Sequence, residues 1–500
     1  LDPEHIALFK AWSSSFRKFI TDVLPDFTPS TQQVKAMEEI SRLINAKLKS
    51  SRGEKLDEGE EEYAGKIGLS IMSGKGPGKD TMAALFINYF LSCFPFPKIP
   101  CTAPTGHQLK DVLWSEINKW IRQSRKTEHG IPILETWLTW QSDKVYFTEA
   151  QGKEWFAVAR TCNPRATAEE QAETLAGFHE DYLAIVIDEG SRVPDPVYRA
   201  LEGTLTGICN IVLLIFNPTR TKGFAIESQF KDRSRWICLH WDAEDSEIVQ
   251  KSQIEFMAKK YGRDSNMFRI YVKGLPPLAG EKLLIQWDWA EDAIDRDVEP
   301  IAEDPVIFII DVGAGGDPSV ITRRRGPKFY KTESIDTDDS EKLSNWLARR
   351  IWDEEPAIVL VDIIGVGWAI EGNLRRLCPG THIVGINVAE TAADETRFYR
   401  LRDELGWKLR GRFEKREIAI EEDPLLIGEM TSVMYDDERS DGKIKIESKR
   451  DMKKRGIESP NRFDTLLLSE YYEYEQVRKI AGKRGKDNWR KGEQGSWRTA

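Results

Sequence analysis

Residues that bind zinc or form disulfides are scarce in this sequence. Its 500 residues include only six cysteines and six histidines. No two cysteines form a C-x-x-C pair, and no histidine stands near one at zinc-ligand spacing. The pattern argues against a zinc site or a disulfide framework and favours reduced, mostly buried thiols. The cysteines are Cys93, Cys101, Cys162, Cys209, Cys238 and Cys378.

Long apolar runs and an overall positive charge are also missing. No run reaches the ~18 residues that a transmembrane helix needs, and Leu1 to Phe9 lack the features of a secretory signal. We therefore expect no membrane association and a cytoplasmic location. The formal charge of -10 excludes a protein that is basic throughout. It does not exclude nucleic-acid binding, which needs only a local positive channel.

The chain is too long for one ordinary hydrophobic core, and its pattern indicates two large α/β domains. Up to about Pro218, short apolar runs alternate with amphipathic helical patterns, as in a nucleotide-binding domain. An irregular polar stretch follows. From Val306 onward, three strands, a helix and a strand ending in an acid indicate an RNase H-like order. The predicted divisions are a domain with an N-terminal helical region (1–223), a linker or subdomain (224–295), an RNase H-like domain (296–477) and a basic mobile tail (478–500).

A glycine-rich segment, S-G-K-G-P-G-K-D-T, stands between a predicted buried strand and a predicted helix. This is the setting of a phosphate loop, in which glycines let backbone N–H groups face a phosphate at a helix N-terminus. Lys79 would add a positive charge at the β- and γ-phosphates. The alternative is a glycine-rich surface turn. The candidate nucleotide-binding residues are Ser73, Gly74, Lys75, Gly76, Gly78, Lys79, Asp80 and Thr81.

This segment departs from the pattern G-x-x-x-x-G-K-[ST] at two positions. Ser73 replaces the first glycine, and Asp80 replaces the hydroxyl residue that normally ligates Mg²⁺. Three outcomes are open: Asp80 ligates the metal itself, Thr81 takes over, or the metal site is weakened.

Further along the chain, other polar residues end apolar strands. After the run Y-L-A-I-V-I, Asp188 is predicted to hold Mg²⁺ and Glu189 to activate water as a general base. Such acids also occur as simple turn formers. Asn217 ends another buried strand and could sense the γ-phosphate, whereas Gln33 could offer its amide to an adenine edge. Together these positions predict an ASCE-type P-loop ATPase domain.

Three acids at element ends predict a second metal site. Asp311 ends V-I-F-I-I-D, Asp362 ends I-V-L-V-D, and Asp464 lies in N-R-F-D at the start of a helical stretch. Convergent carboxylates can hold two Mg²⁺ ions about 4 Å apart for phosphodiester cleavage. Capping or turn roles are the alternative for each acid. Asp317 could assist or stabilise a hairpin, and the run Arg323 to Arg325 could contact phosphates or protect a sheet edge.

In this order, these motifs resemble the large terminase subunits of tailed double-stranded DNA phages, from about Thr28 to about Tyr474. The resemblance implies an ATPase fused to a nuclease that uses ATP and Mg²⁺, or Mn²⁺ at the nuclease site. It implies that Lys75 is the basic residue of the phosphate loop and that Phe216 to Pro218 form the coupling motif. It also implies double-stranded DNA, a small terminase subunit and a capsid portal protein as partners, a homo-oligomeric ring, and the host cytoplasm as location.

Two other functions stay open from the sequence. A helicase-nuclease of recombination or repair would share an ATPase and a nuclease, but no clear helicase motif follows Thr219. A degenerate ATPase that acts as a portal-docking scaffold is compatible with Asp80. Measurement of ATP hydrolysis separates the scaffold from the motor.

Overall fold

The structure, a computed structural model, describes residues 3–162, 166–278, 282–313, 316–438, 441–455 and 457–482. The chain divides into two units, Leu1–Pro277 and Leu278–Ala500. This division falls inside the segment 224–295 that the sequence assigned to a linker or subdomain. Most of the predicted basic tail, residues 483–500, lies outside the described residues.

The first unit contains one large sheet and the helices that cover it. Its strands are β1 (Gly68–Ser73), β2 (Lys98–Ala103), β3 (Leu138–Trp140), β4 (Lys144–Phe147), β5 (Phe156–Thr161), β6 (Tyr182–Ile187), β7 (Cys209–Phe216) and β8 (Trp236–Trp241). Its helices are α1 (Pro3–Ser14), α2 (Phe16–Val23), α3 (Thr31–Ser51), α4 (Glu58–Gly65), α5 (Lys79–Cys93), α6 (Ser115–Arg122), α7 (Ala168–Ala172), α8 (Asp195–Tyr198), α9 (Ala200–Thr204), α10 (Phe224–Gln229), α11 (Lys251–Tyr261) and α12 (Asn266–Tyr271).

The strand order of this sheet is β3-β4-β5-β2-β6-β7-β1-β8. The last six strands in this order, β5-β2-β6-β7-β1-β8, all pair in parallel. Their apolar side chains alternate between the two faces of the sheet. On β1, Leu69 and Ile71 join the core on one face, whereas Met72 joins the core on the other. Burial on both faces explains why these strands read as continuous apolar runs. One strand, β7, separates β1 from β6, which is the ASCE order and confirms the predicted fold class.

The second unit contains a mixed sheet. Its strands are β9 (Val306–Asp311), β10 (Ser319–Arg325), β11 (Lys328–Phe329), β12 (Glu333–Ile335), β13 (Ile358–Asp362), β14 (Ile383–Ile386), β15 (Ala419–Ile420), β16 (Tyr435–Asp436) and β17 (Lys445–Ile446). Its helices are α13 (Trp287–Ala293), α14 (Ser340–Glu354), α15 (Gly367–Leu377), α16 (Leu401–Glu414), α17 (Pro424–Met430), α18 (Lys449–Lys454) and α19 (Asn461–Leu468).

The main sheet of the second unit has the order β14-β13-β9-β10-β11-β15, and β12 also pairs with β10. β9 and β10 are antiparallel, whereas β13 pairs in parallel with both β9 and β14. This is the RNase H-like order, so the second half of the predicted fold class is also confirmed. Because β9 and β13 are parallel neighbours, their terminal acids Asp311 and Asp362 lie at the same edge of the sheet.

The run Arg323 to Arg325 was expected to contact phosphates or to protect a sheet edge. Both expectations are wrong for its middle residue, because β10 has strands on both sides and Arg324 is only 1% exposed. Its neighbours are also engaged within the unit: Arg323 pairs with Glu354, and the Nε of Arg325 donates to the carbonyl of Asp304.

Arg324 belongs to a buried charge cluster. The Nε of Arg412 lies 2.9 Å from Oε2 of Glu470, and the Nη1 of Arg324 lies 3.7 Å from Oε1 of the same carboxylate. Burial raises the pKa of Glu470 even though both guanidinium groups favour its charged form. The Nη2 of Arg412 also lies 3.1 Å from Oε2 of the exposed Glu473, whereas the ion pair of Arg324 is with Glu470.

We expect Glu470→Ala to lower the free energy of unfolding by about 3–5 kcal/mol, since it leaves the buried guanidinium group of Arg324 without its ion-pair partner and Arg412 with the exposed Glu473 alone. Denaturant unfolding followed by tryptophan fluorescence measures the loss. Glu475→Ala is the matched control, because Glu475 forms an exposed pair with Lys479 and its removal should leave the unfolding midpoint unchanged. A loss below about 1 kcal/mol for Glu470→Ala would show that the cluster contributes no more than a surface pair.

The six cysteines are free in the structure, and four of them, Cys101, Cys162, Cys209 and Cys378, are buried. Burial raises the pKa of the Cys101 thiol well above its usual range, which keeps this thiol protonated and unreactive. Among the described residues, no helix combines the length and the apolar character needed to cross a membrane.

Candidate functional sites

The glycine-rich segment forms the loop between β1 and α5. Gly76 and Gly78 have positive φ angles of 98° and 85°, a conformation that side chains disfavour. Two other groups approach glycines of this loop closely, and the one at Gly74 is a backbone carbonyl. A Cβ on Gly78 would lie 2.5 Å from Nε2 of Gln33, and one on Gly74 would lie 2.5 Å from the carbonyl oxygen of Val272.

Backbone contacts hold the start of this loop. The N–H of Gly74 donates to the carbonyl of Trp241 at 2.9 Å, and the N–H of Lys75 donates to that of Tyr271 at 2.7 Å. The ammonium group of Lys75 lies 4.0 Å from the centre of the Tyr271 ring, a cation–π contact. The loop is therefore tied to β8 and to the end of α12, elements within the segment assigned to a linker from sequence.

Gln33 and Asn217 lie against the same loop. The Nε2 of Gln33 donates to the carbonyl of Gly78 at 3.1 Å, while its Oε1 accepts from the N–H of Ser30 in the capping box of α3. The Nδ2 of buried Asn217 donates to the carbonyl of Ser73 at 2.6 Å. The structure thus places both residues at the loop with their amides bonded to protein groups, and their contacts with a nucleotide stay predictions.

Lys79 lies in the middle of a cluster of acids. Its Nζ is 2.6 Å from Oε1 of Glu189, 2.9 Å from Oδ1 of Asp80 and 3.6 Å from Oδ1 of Asp188. Burial alone would lower the pKa of Lys79, but the three carboxylates outweigh it and raise this pKa well above the usual value. The structure therefore brings together the predicted residues of the phosphate loop and of the strand-end acids.

The two strand-end acids have opposite pKa shifts. Burial raises the pKa of Asp188 to about 7, against the effect of Lys79. Burial also acts to raise the pKa of Glu189, but its contact with Lys79 outweighs this and lowers it. Glu189 has a positive φ of 48°, an uncommon conformation that occurs often at functional sites. Neighbouring acids whose pKa values differ in this way can take different chemical roles.

The structure bears on the choice between Asp80 and Thr81. The hydroxyl of Thr81 donates to Oε1 of Glu116 at 2.7 Å, and the same oxygen accepts from Nε1 of Trp120 at 2.8 Å. Thr81 is thus part of a bonded group that joins α5 to α6. The side chain of Asp80 is 39% exposed beside Lys79. The side chain of Asp80 is thus partly exposed at the loop, and its ligation of Mg²⁺ stays a prediction.

The three acids of the second unit also come together. Asp311 and Asp464 are 4% and 5% exposed, and the Nζ of Lys449 lies 3.3 Å from Oδ2 of the first and 2.8 Å from Oδ2 of the second. Asp464 also accepts from Nη2 of Arg402 at 3.0 Å. Asp362 is close enough for Asp464 and Lys449 to influence its pKa. The acid cluster is defined here as Asp311, Asp362 and Asp464.

The three carboxyl groups of the acid cluster differ in the direction of their pKa shifts. Burial raises the pKa of Asp311 to about 7, and the charges of Asp464 and Asp362 act in the same direction. Burial also raises the pKa of Asp362. For Asp464, burial acts in that direction too, but Lys449 and Arg402 outweigh it and lower the pKa.

The residue types of the acid cluster fit hard divalent cations, because Mg²⁺ and Mn²⁺ prefer carboxylate oxygens. In the part of the chain that is described, no three His, Cys, Asp or Glu side chains have converged into a metal-binding arrangement. Instead, the ammonium group of Lys449 lies between two of the three acids. A metal held by all three acids would therefore have to draw them closer and share or replace the charge of Lys449.

The sequence did not single out Lys449, Arg402 or Glu429. The carboxylate of Glu429 accepts from the N–H of Phe463 at 3.0 Å, and burial raises its pKa to about 8. Because these residues come from three separate helices or their ends, no fixed spacing to the aspartates marks them. Asp317 accepts from Ser459 at 2.8 Å, so it connects the loop before β10 to the residues before α19.

A known protein resembles this chain in sequence, although no protein-family model matches it. A curated protein of Enterobacteria phage P7, named "Probable terminase, large subunit", is 25% identical over 437 residues, which are 82% of this chain and 86% of that protein. The resemblance to large terminase subunits is therefore confirmed over most of the chain.

Two solved structures are also similar. The nuclease domain of the large terminase subunit of bacterial virus Sf6 is 19% identical, covers 38% of this chain and 99% of its own, and has a TM-score of 0.35. The large terminase of a thermophilic bacteriophage, in complex with ATP-gamma-S, is 15% identical, covers 89% of this chain and 98% of its own, and has a TM-score of 0.37.

Proposed function

Because this sequence is similar to a large terminase subunit over most of its length, we propose that the chain is the motor and nuclease subunit of a viral DNA-packaging machine. It hydrolyses ATP to move double-stranded DNA into a procapsid and cuts concatemeric DNA with a metal-dependent endonuclease. It works in the host cytoplasm as a homo-oligomeric ring, with a small terminase subunit and the portal protein as partners. The observation that carries the proposal is that each unit gathers its own cluster of acids around a lysine.

In the first unit, the proposed substrate is ATP with Mg²⁺, which neutralises charge on the phosphates when bound. Lys79 binds the β- and γ-phosphates, and Asp188 and Asp80 are the Mg²⁺ ligands. Glu189 is the general base, because its lowered pKa keeps it ionised and therefore able to accept a proton from water. The ion pair of Glu189 with Lys79 must loosen for both side chains to act.

Hydrogen bonds offer a route from this site to the rest of the unit. The side-chain amide of Asn217 donates to the backbone carbonyl of Ser73. The backbone carbonyl of Asn217 accepts from the hydroxyl of Ser191 at 2.6 Å. Ser191 lies two residues after Glu189, so a single buried residue contacts both the phosphate loop and the segment that follows the general base. Asn217 is therefore positioned to transmit a change in either one to the end of β7.

We expect Asp80→Ala to raise the Mg²⁺ concentration needed for half-maximal ATP hydrolysis by about 10- to 100-fold, by analogy with the loss of groups that support a metal site. Asp80→Ser should need a Mg²⁺ concentration close to that of the wild type, because a serine hydroxyl is the usual ligand at this position. Thr81→Ala is the control and should change the Mg²⁺ requirement little, since that hydroxyl is bonded to Glu116. The reverse ranking of Asp80→Ala and Thr81→Ala in a Mg²⁺ titration would assign the metal to Thr81.

In the second unit, divalent cations would supply charge stabilisation of both the attacking and the leaving oxygen of a phosphodiester. Asp311, Asp362 and Asp464 are the residues that would hold them. Arg402 keeps Asp464 ionised and fixes its orientation through the bond at 3.0 Å. Lys449 balances the negative charge of Asp311 and Asp464, which lets two buried carboxylates remain close together.

The purified full chain tests the proposal in two assays: DNA-stimulated ATP hydrolysis, and plasmid cleavage with Mg²⁺ or Mn²⁺. We expect both activities, and EDTA should remove both. A chain without either activity would overturn the proposal. Cleavage without hydrolysis would leave a nuclease joined to a portal-docking scaffold.

A further inference from the structure

The loop that follows Asp362, together with the first turn of α15, exposes large apolar side chains. Ile364, Val366 and Trp368 are 46%, 48% and 68% exposed, within five consecutive residues. Isolated exposed apolar residues are ordinary, but a contiguous group marks a surface that binds something. Residues 363–368 are called the apolar loop here.

The apolar loop is fixed against the acid cluster by backbone geometry. The N–H of Ile364 donates to Oδ1 of Asp362 at 3.0 Å, and Gly365 turns the chain with a φ of 66°. A Cβ on Gly367 would lie 1.9 Å from the carbonyl oxygen of Asp362 and 3.8 Å from the side chain of Val312. The backbone of residues 364–367 therefore lies against the ends of both β9 and β13, the strand ends that carry Asp311 and Asp362.

A basic helix borders the same acids. Helix α18 has the sequence K-R-D-M-K-K, and its first residue, Lys449, contacts Asp311 and Asp464. Lys453 lies 3.7 Å from Asp317 with its side chain 60% exposed, and Lys454, 66% exposed, lies 2.7 Å from Asp451 of the same helix. The acid cluster is thus accompanied by exposed cations as well as by the apolar loop.

We propose that the apolar loop enters the minor groove of double-stranded DNA, with Trp368 contacting a base step, while the cations of α18 bind adjacent phosphates. Apolar wedges with flanking basic residues are how proteins hold a bent or locally unstacked duplex, and phosphate contacts fix its register. The contact positions a phosphate over Asp311 and Asp362. The inference rests on the proposed nuclease function. DNA fits better than a protein partner, because a protein seated on this loop would cover the acids next to it.

DNA binding by the full chain, measured in EDTA so that no cleavage occurs, tests the inference. The probe is a short duplex that contains 2-aminopurine, whose fluorescence rises when its base is unstacked. We expect Trp368→Ala to weaken binding on the order of 10-fold, as for the loss of a stacked aromatic contact, and to remove the fluorescence rise. Trp368→Phe should retain most of both. Trp352→Ala is the matched control, because Trp352 is 55% exposed on α14, a helix that carries no residue of the acid cluster.

The salt dependence of binding separates the two parts of the contact. Trp368→Ala should leave the slope of log affinity against log salt unchanged, because it removes no phosphate contact, whereas Lys454→Ala should reduce it by about 1. Wild-type affinity and fluorescence in Trp368→Ala would overturn the inference, as would an equal loss in Trp352→Ala. A change in sedimentation of Trp368→Ala with normal DNA binding would assign the loop to contacts between copies of the chain and would also overturn it. Failure of the wild type to cleave with Mn²⁺ would instead overturn the nuclease function, whatever the loop variants do.

Discussion

Asp362→Ala is expected to lower divalent-dependent plasmid cleavage by at least about 10³-fold, the upper range for removing one group that stabilises a transition state, and to leave ATP hydrolysis unchanged. Asp362 follows Val361, which is in register with Ile310 on the parallel neighbour β9, so Asp362 and Asp311 follow paired residues at the same end of the two strands. Removal of Asp362 leaves two acids, both already in contact with Lys449. The carboxylates of Asp311 and Asp464 alone cannot bridge two divalent cations.

Gel analysis of supercoiled, nicked and linear plasmid with Mg²⁺ and with Mn²⁺ measures this loss. Asp338→Ala is the matched control, because Asp338 is an exposed aspartate of the same unit that precedes α14 and should be dispensable. Cleavage by Asp362→Ala within tenfold of the wild type would remove Asp362 from the metal site and, with it, the proposed set of three acids.

Glu189→Gln is expected to reduce ATP hydrolysis by about 10²- to 10⁴-fold, the contribution of a general base, while nucleotide binding persists. The substitution keeps the size of the side chain and removes only the charge that accepts a proton. It also breaks the ion pair with Lys79 at 2.6 Å, so Lys79 stays available to phosphates. A loss of turnover without a loss of binding is therefore the result that distinguishes a base from a structural anchor.

Phosphate release in the presence of DNA and binding of a fluorescent ATP analogue measure the two properties of Glu189→Gln. Glu227→Gln is the control, since Glu227 forms an exposed pair with Lys231 in the same unit. Hydrolysis by Glu189→Gln at the wild-type rate would exclude Glu189 as the base. A wild type that binds the analogue but never hydrolyses ATP, even with DNA, would favour the scaffold over the motor.

Local signals explain what the sequence predicted well. Strands β1, β6, β7, β9 and β13 are short apolar runs that end in a glycine-rich or polar segment, and parallel pairing aligns such ends at one edge of a sheet. This alignment brings Asp188 and Glu189 close to Lys79, and it brings Asp311 close to Asp362. The fold class and the gathering of the acids therefore follow from order along the chain together with the rules of strand pairing.

Tertiary contacts explain what was missed or misread. Lys449 and Arg402 reach Asp464 from separate helices, and nothing in their spacing to the aspartates reveals it. Three consecutive arginines look like an exposed basic run, but alternation along β10 sends Arg324 into the interior. β8 is the mostly apolar run W-I-C-L-H-W inside a stretch that was predicted to be irregular and polar, and it pairs with β1 over its full length.

The cluster of Arg324, Arg412 and Glu470 has a consequence for how related sequences can vary. Loss of Glu470 leaves Arg324 buried without its ion-pair partner and Arg412 with the exposed Glu473 alone, so a lineage cannot lose the glutamate first and the arginines later without passing through a poorly folded intermediate. Positions 324, 412 and 470 should therefore change together: relatives should carry either all three charges or an uncharged, well-packed set, and mixed combinations should be rare.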